Sequence, residues 1–150
     1  PAGRAKIISK NNKNILIDYA HNFAGIKAIV NSVINIYDDL IILYGCGGER
    51  DRSEREKIMK FTCANSRQVI FTSDNSRNES FQSILNDSLK NQEYSNLIIQ
   101  PDRKQAIKNG IEAIKDDEIL LILGKGHEEF QEINGTKMPF NDQKVVEKIL

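Results

Sequence analysis

Four short segments of the sequence combine charged side chains with glycines, and each one directly follows an apolar run. The segments are Asp18–Asn22, Gly45–Arg52, Ser73–Arg77 and Gly124–Glu128. They contain both histidines of the chain together with arginines and carboxylates. Guanidinium groups pair with carboxylates and phosphates, and carboxylates accept hydrogen bonds from ammonium groups. Brought together, the segments would suit a small zwitterion plus phosphates.

The elements that must position these segments alternate between β-like runs and helical spacing of apolar residues. Predicted strands cover Ala5–Ser9, Ile15–Asp18, Leu40–Tyr44, Val69–Thr72, Leu97–Ile99, Ile119–Leu123, Glu129–Ile133 and Thr136–Met138. Predicted helices cover Phe23–Ile36, Ser53–Ala64, Ser80–Lys90 and a segment from the cap Asp102 to Ile114, and Asp142 is predicted to cap a final helix.

This alternation predicts an α/β fold, a Rossmann-like mostly parallel sheet with helices on both faces. Turn-rich sequence between the first two strands and the type I′ signal Asn134-Gly135 predict antiparallel edge additions at both ends. Ligands of open α/β sheets bind outside the carboxyl ends of the strands. The four segments are therefore expected to converge on one edge.

Each segment also has a purely structural interpretation. Asp18 and His21 could cap the following helix, Gly45–Gly48 could be a tight turn, and Asp74–Ser76 could be an Asx-type turn. Neither glycine-rich segment has P-loop or dinucleotide-binding spacing. Cys46 has no base nearby in sequence, which favours a packed small residue over a nucleophile.

Composition limits the classes of function. A chain of 150 residues suits one domain. The formal net charge of zero argues against a general nucleic-acid or membrane surface. Two cysteines without metal or disulfide spacing, and no apolar run of roughly 18 residues or signal peptide, predict a cytoplasmic protein.

Taken in order, the segments resemble the C-terminal domain of Mur ligases, most closely the UDP-MurNAc-tripeptide synthetase (MurE) branch. The matching residues are Gly3-Arg4, Asp18-Tyr19-Ala20-His21-Asn22, Gly45–Asp51, Asp74-Asn75-Ser76-Arg77 and Gly124–Glu128. The sequence departs from the family pattern at three positions. Lys6 replaces an acidic residue, and Phe23 and Ser76 each replace a Pro, of which the one at position 76 precedes Arg77. Losing that Pro frees φ and restores an N–H, which is expected to loosen the frame around Arg77.

The resemblance implies that residues 1–150 are a single C-terminal domain of a three-domain enzyme whose N-terminal and central ATP-binding domains are absent here. ATP and Mg²⁺ would be used by the full-length enzyme, with none held by this domain alone. ATP would phosphorylate the terminal carboxylate of UDP-MurNAc-L-Ala-D-Glu, and the amine of the incoming amino acid would attack the acyl phosphate.

The resemblance also implies roles for particular residues. Predicted substrate-binding residues are Arg50, Asp74, Asn75, Ser76, Arg77, Gly124 and Glu128, and predicted nucleotide-binding residues are Arg4, Asp18, Tyr19 and His21. Arg77 would bind the distal carboxylate of meso-diaminopimelate and Glu128 its distal ammonium, with Asp74 and Asn75 near its ammonium or carboxylate groups. No catalytic or metal-binding residue is assigned, and Lys125 and His127 are left without a role.

Two alternatives stay open. The chain could belong to a Mur-like ligase with another acceptor, such as L-lysine or another diamino diacid, or it could be a non-catalytic Rossmann-like module. The partners expected for the ligase are meso-diaminopimelate, the UDP-MurNAc-dipeptide and ATP, the last two bound through the missing domains. We expect the isolated fragment to be inactive.

Overall fold

The structure is a computed structural model that describes residues 5–150. Arg4, a predicted nucleotide-binding residue, lies outside the described residues. The strands are β1 (Lys6–Lys10), β2 (Lys13–Asp18), β3 (Asp39–Tyr44), β4 (Gln68–Phe71), β5 (Leu97–Ile99), β6 (Glu118–Leu123), β7 (Phe130–Ile133) and β8 (Thr136–Pro139). The helices are α1 (Phe23–Val33), α2 (Arg55–Ala64), α3 (Phe81–Leu89), α4 (Arg103–Ala113) and α5 (Asp142–Ile149).

The main sheet has the strand order β1-β2-β6-β3-β4-β5. Its neighbouring strands pair in parallel, except that β1 pairs antiparallel with β2 at the edge. The predicted fold class is therefore confirmed. The C-terminal hairpin of β7 and β8 forms a separate two-stranded sheet instead of extending the edge of the main one.

Helices cover both faces of the main sheet, and the strand residues alternate between two cores. In β6, which is buried along its whole length, Ile119 and Leu121 pack with α1, α2 and α3, whereas Leu120 and Ile122 pack with α4 and α5. Side chains of successive strand residues point to opposite faces. A strand buried on both faces therefore appears in the sequence as a continuous apolar run.

Two helix ends differ from the sequence prediction. Helix α1 ends at Val33, about one turn before Ile36, whose side chain is 71% exposed and buries little apolar surface. The prediction that Asp142 caps α5 is wrong, because the capping residue is Asn141, whose side chain accepts from the backbone N–H of Lys144. Asp142 is instead fully buried inside the first turn.

The hairpin between β7 and β8 has the predicted turn. Asn134 and Gly135 have φ angles of 54° and 73°, the two positive values that a type I′ turn requires. The turn pairs Ile133 with Thr136 and fixes the register of both strands.

Candidate functional site

The four segments meet at one edge of the sheet. They follow β2, β6, β3 and β4, which are neighbours in the sheet, so their carboxyl ends lie side by side. The segments also contact one another: the Gly48 N–H donates to Asn75 O over 2.7 Å, and the Gly124 N–H donates to Asp18 O over 3.1 Å. A cleft of about 520 Å³ is lined by residues from all four segments. The predicted convergence is confirmed.

The segment after β2 does not cap α1 with Asp18 or His21. The cap is Asn22, whose Oδ1 accepts from the Gly25 N–H over 2.8 Å. The two Asp18 carboxylate oxygens accept from the backbone N–H groups of Ala5 and Ala20. The Asp18 side chain is buried, with 8% of the residue exposed, and its two hydrogen bonds fix the local backbone.

Tyr19 and His21 form an aromatic wall on this side of the cleft. Their rings pack edge to face with centroids 4.9 Å apart, and His21 Nδ1 lies 3.1 Å from Tyr19 O. If Nδ1 carries the proton, Nε2 is left as an acceptor. The two residues stand between the main cleft and a neighbouring one of about 400 Å³, which Asp18 also lines.

The segment after β4 is fixed by the β7–β8 hairpin. The Arg77 N–H donates to Glu132 O over 3.0 Å, and the Asn134 N–H donates to Arg77 O over 2.7 Å. Arg77 has φ of 55°, in the left-handed region that non-glycine residues seldom occupy. These backbone hydrogen bonds hold Arg77 in place without a proline at position 76.

The Arg77 side chain is aimed by backbone carbonyls. Its Nη1 donates to Gly48 O and to Asn75 O, each over 3.0 Å. A guanidinium carries five donors in a planar fork. Within the described residues its hydrogen bonds use Nη1 alone, which leaves Nε and Nη2 as donors for a ligand in the cleft that Arg77 lines.

The amide of Asn75 has a defined direction. Its Oδ1 accepts from Lys125 Nζ over 2.9 Å and from the Glu132 N–H over 3.0 Å. Both partners only donate, so the atom that meets them is the oxygen. The Nδ2 group therefore lies on the side of Glu128, 3.4 Å from its Oε1, and Asn75 offers donors to the cleft.

Asp74 lies deep in the cleft, where burial raises the pKa of its carboxyl group against the opposing effect of Arg103 and Lys125. Gly124 approaches it closely, since a Cβ at Gly124 would lie 2.5 Å from Asp74 Oδ2. The φ of Gly124 is 112°, which L side chains rarely adopt. A side chain at this position would collide with the carboxylate.

The remaining predicted substrate residues occupy different positions. Arg50 and Glu128 line the cleft, Arg50 from the exposed rim. Ser76 is 4% exposed and is the one predicted substrate residue, among residues 5–150, that does not line it. Its carbonyl oxygen accepts from the Glu79 N–H, and a Cβ at Gly48 would overlap that same oxygen. Ser76 therefore packs against neighbouring backbone and does not face the cleft.

An ion-pair network that the sequence did not indicate ties two segments together. Arg55, 2% exposed at the start of α2, donates to Glu79 over 2.7 and 2.9 Å and to Gly47 O over 3.0 Å. Glu79 also accepts from the Glu49 N–H. The hydrogen bonds from Arg55 lower the pKa of Glu79 from 4.5 to about 2. The network joins the segments that carry Arg50 and Arg77.

A second buried pair lies beneath the site. Arg103 and Asp142, both fully buried, form two hydrogen bonds of 2.8 Å. Arg103 also donates to Ser73 O and to Leu123 O, at the ends of β4 and β6. This pair explains why Asp142 is drawn inward from the cap position. It also fixes two of the strand ends from which the site is built.

Cys46 does not have the properties of a nucleophile. Burial raises the pKa of its thiol to about 12, so the thiolate is scarce at neutral pH. This agrees with the interpretation of Cys46 as a packed small residue.

Two negative findings apply to the part of the chain that the structure describes. Residues 5–150 contain no group of three or more His, Cys, Asp or Glu side chains arranged to hold a metal ion. Within the same residues, the helices are too short or too polar to span a bilayer.

Comparison with known proteins gives consistent matches. A family model described as "Mur ligase, glutamate ligase domain" matches residues 3–126. The UDP-N-acetylmuramoyl-L-alanyl-D-glutamate–2,6-diaminopimelate ligase of Aquifex aeolicus is 38% identical over 150 residues, which cover 99% of this chain and 31% of that protein. The enzyme of the same name from Helicobacter pylori (strain J99) is 39% identical over 145 residues, covering 96% and 32%.

A solved structure of a UDP-N-acetylmuramoyl-L-alanyl-D-glutamate–2,6-diaminopimelate ligase superposes with a TM-score of 0.92 at 32% identity, covering 99% of this chain and 31% of that one. The chain thus spans about a third of the length of the relatives it matches. Since the family model covers most of the chain, the chain belongs to the Mur ligase family, as the C-terminal domain of such ligases.

Proposed function

We propose that this chain is the amino-acid-binding domain of an ATP-dependent ligase that adds meso-2,6-diaminopimelate to UDP-MurNAc-L-Ala-D-Glu in peptidoglycan synthesis. The observation that carries the proposal is the Arg77 guanidinium, held by two backbone carbonyls at the cleft with donors left over. A fork in a fixed direction is the geometry that binds a carboxylate through two parallel hydrogen bonds.

Both charged ends of an amino-acid group have complementary partners in the cleft. The Asn75 amide offers donors, which suit a carboxylate, and the Glu128 carboxylate accepts from an ammonium group. Glu128 Oε1 already receives Lys125 and Asn75, which leaves Oε2 for the ligand. Asp74, Gly124 and Arg50 complete the lining of this substrate side.

The nucleotide belongs to the opposite wall in this proposal. Tyr19 and His21 offer exposed rings, a phenol and an imidazole nitrogen, and Asp18 retains acceptor lone pairs beside them. These groups suit a base and a ribose better than a phosphate chain, for which the described residues of this wall provide no arginine or lysine. When ATP is bound between the domains, it supplies the phosphate that activates the terminal carboxylate of UDP-MurNAc-L-Ala-D-Glu.

The proposal predicts which amino acid is used. L-Lysine has a distal ammonium but no distal carboxylate, so the remaining donors of Arg77, Nε and Nη2, would have no partner in the ligand. A site with buried polar groups can reject an analogue that lacks their partner by about 10⁴-fold. The test is a ligase assay on the full-length protein with ATP, Mg²⁺, UDP-MurNAc-L-Ala-D-Glu and either amino acid. The expected result is a higher kcat/KM for meso-diaminopimelate, and equal or faster use of lysine would refute the assignment.

A further inference from the structure

Lys125 is a fully buried charge next to the site, and the sequence left it without a role. Its side chain is 0% exposed, and it is not among the residues that line the cleft. Its Nζ donates to Asn75 Oδ1 over 2.9 Å, to Glu128 Oε1 over 3.1 Å and to Phe130 O over 2.7 Å. An ammonium group has three donors, and all three are used.

Because its donors are used, Lys125 has no hydrogen bond left to offer a substrate. Its three acceptors come from three parts of the chain: the segment after β4, the segment after β6 and the first residue of β7. Two of them belong to the side chains assigned to the carboxylate and the ammonium of the distal amino-acid group. The same ammonium thus fixes the donor side of Asn75 and one oxygen of Glu128.

We propose that Lys125 is a positioning residue for amino-acid recognition, which holds Asn75 as a donor and Glu128 as an acceptor at a fixed separation. This inference rests on the proposed function. Without the ammonium, Glu128, whose side chain is 34% exposed, is free to turn toward solvent. The Asn75 amide would then keep only the Glu132 N–H as the partner that sets its direction.

The test compares two amino-acid substrates that differ only at the group that Glu128 would bind. One is meso-diaminopimelate, and the other is 2-aminopimelate, which has the same carbon chain and distal carboxylate but no distal ammonium. In the wild-type full-length enzyme we expect the KM for 2-aminopimelate to exceed that for diaminopimelate by about tenfold or more, as for a lost charge-assisted hydrogen bond.

In Lys125→Met the ratio of the two KM values should fall toward one, while the KM for diaminopimelate rises roughly tenfold. The KM for ATP should stay within about twofold, because the nucleotide wall is not part of this cluster. Lys144→Met is the matched control: it removes the same charge from an exposed pair with Glu129, and its ratio should equal that of the wild type.

Glu128→Gln should lower the same ratio, and adding Lys125→Met to it should produce little further change, since both act on one contact. An unchanged ratio in Lys125→Met would overturn the inference, as would an equal rise in KM for every substrate. If Lys125→Met does not fold, as judged by circular dichroism, the ratio of KM values is measured for Lys125→Gln instead. Failure of both variants to fold would also overturn it, because Lys125 would then be a requirement of the fold.

The inference and the proposed function fail in different ways. A wild-type enzyme that does not use meso-diaminopimelate refutes both. A wild-type enzyme that uses it, together with a Lys125→Met variant that keeps the wild-type ratio, refutes the role of Lys125 alone.

Discussion

Arg77 shows how backbone groups convert a flexible charged side chain into a directed one. The guanidinium receives its direction from Gly48 O and Asn75 O, which belong to two different segments. Its own backbone is held in the left-handed region by the β7–β8 hairpin. The hairpin therefore restrains this frame without a proline at position 76.

Replacing Arg77 with methionine in the full-length enzyme tests that arrangement. The variant should lower kcat/KM for meso-diaminopimelate by about 100-fold or more, the effect of losing two charge-assisted hydrogen bonds. Activity with lysine, however low, should not fall in parallel. Steady-state assays measure both values. Arg52→Met, which removes an exposed arginine paired with Asp87, is the control and should behave as the wild type does. A parallel loss with both amino acids would contradict the role of Arg77.

The direction of the Asn75 amide gives a second prediction at this scale. Asn75→Asp keeps the shape of the side chain but turns the donor that faces Glu128 into an acceptor, 3.4 Å from Glu128 Oε1. The KM for diaminopimelate should rise roughly tenfold, because a donor to the substrate carboxylate is lost. Asn109→Asp, in α4, makes the same change away from the cleft and should leave KM unaltered. An Asn75→Asp enzyme with wild-type KM would mean that Asn75 does not donate to the substrate.

At the scale of elements, the site depends on ion pairs between helices and loops. Arg55 in α2 binds Glu79, just before α3, and also the carbonyl of Gly47. Arg103 in α4 binds Asp142 in α5 together with two strand ends. Breaking a buried pair by removing one partner destabilises strongly, because the other charge is left uncompensated.

The lowered pKa of Glu79 predicts how stability depends on pH. Its folded pKa of about 2 lies below the ordinary 4.5, so its contribution is present above about pH 4.5 and is lost as the pH falls toward 2. Glu79→Gln should therefore lower the free energy of unfolding at pH 7 by on the order of 2 kcal/mol, and the difference should shrink in acid. Urea unfolding of the 150-residue chain at several pH values measures this. Glu56→Gln, an exposed change in α2, serves as the control. A Glu79→Gln difference that is constant between pH 7 and pH 2 would contradict the assignment.

The sequence predicted the elements better than the contacts between them. Apolar periodicity predicted the strands and a mostly parallel sheet, and the turn residues Asn134 and Gly135 predicted the hairpin, because these signals are local. The cap of α5 was missed because the choice between Asn141 and Asp142 depends on Arg103, which is 39 residues away from Asp142. The contact between Lys125 and Asn75 likewise spans 50 residues, so no local pattern reveals it.

At the scale of the whole molecule, the fold brings the proposed amino-acid site and the proposed nucleotide wall to one edge of the main sheet. The cleft between them is lined by segments that follow neighbouring strands. In the ligase proposed here, the other reactants come from domains beyond this chain. Closure of those domains over this edge would bring the groups together and exclude water.

Because the ATP-binding domain of the proposed ligase lies beyond this chain, we predict that the 150-residue chain hydrolyses no ATP by itself. Its sequence has no P-loop spacing, and a phosphate chain needs such a backbone cradle or an equivalent set of cations. Phosphate release from ATP and Mg²⁺, measured with the purified chain, should equal that of a sample without protein. Turnover above that background would show that the chain contains an ATP site of its own.

The most direct test of the central claim is a calorimetric comparison of two ligands on the full-length protein. Meso-diaminopimelate and L-lysine would be titrated in turn in the presence of UDP-MurNAc-L-Ala-D-Glu and a non-hydrolysable ATP analogue. Diaminopimelate is expected to bind more tightly than lysine, and Arg77→Met is expected to remove most of the difference. Lysine binding as tightly as diaminopimelate, or a difference that survives in Arg77→Met, would contradict it.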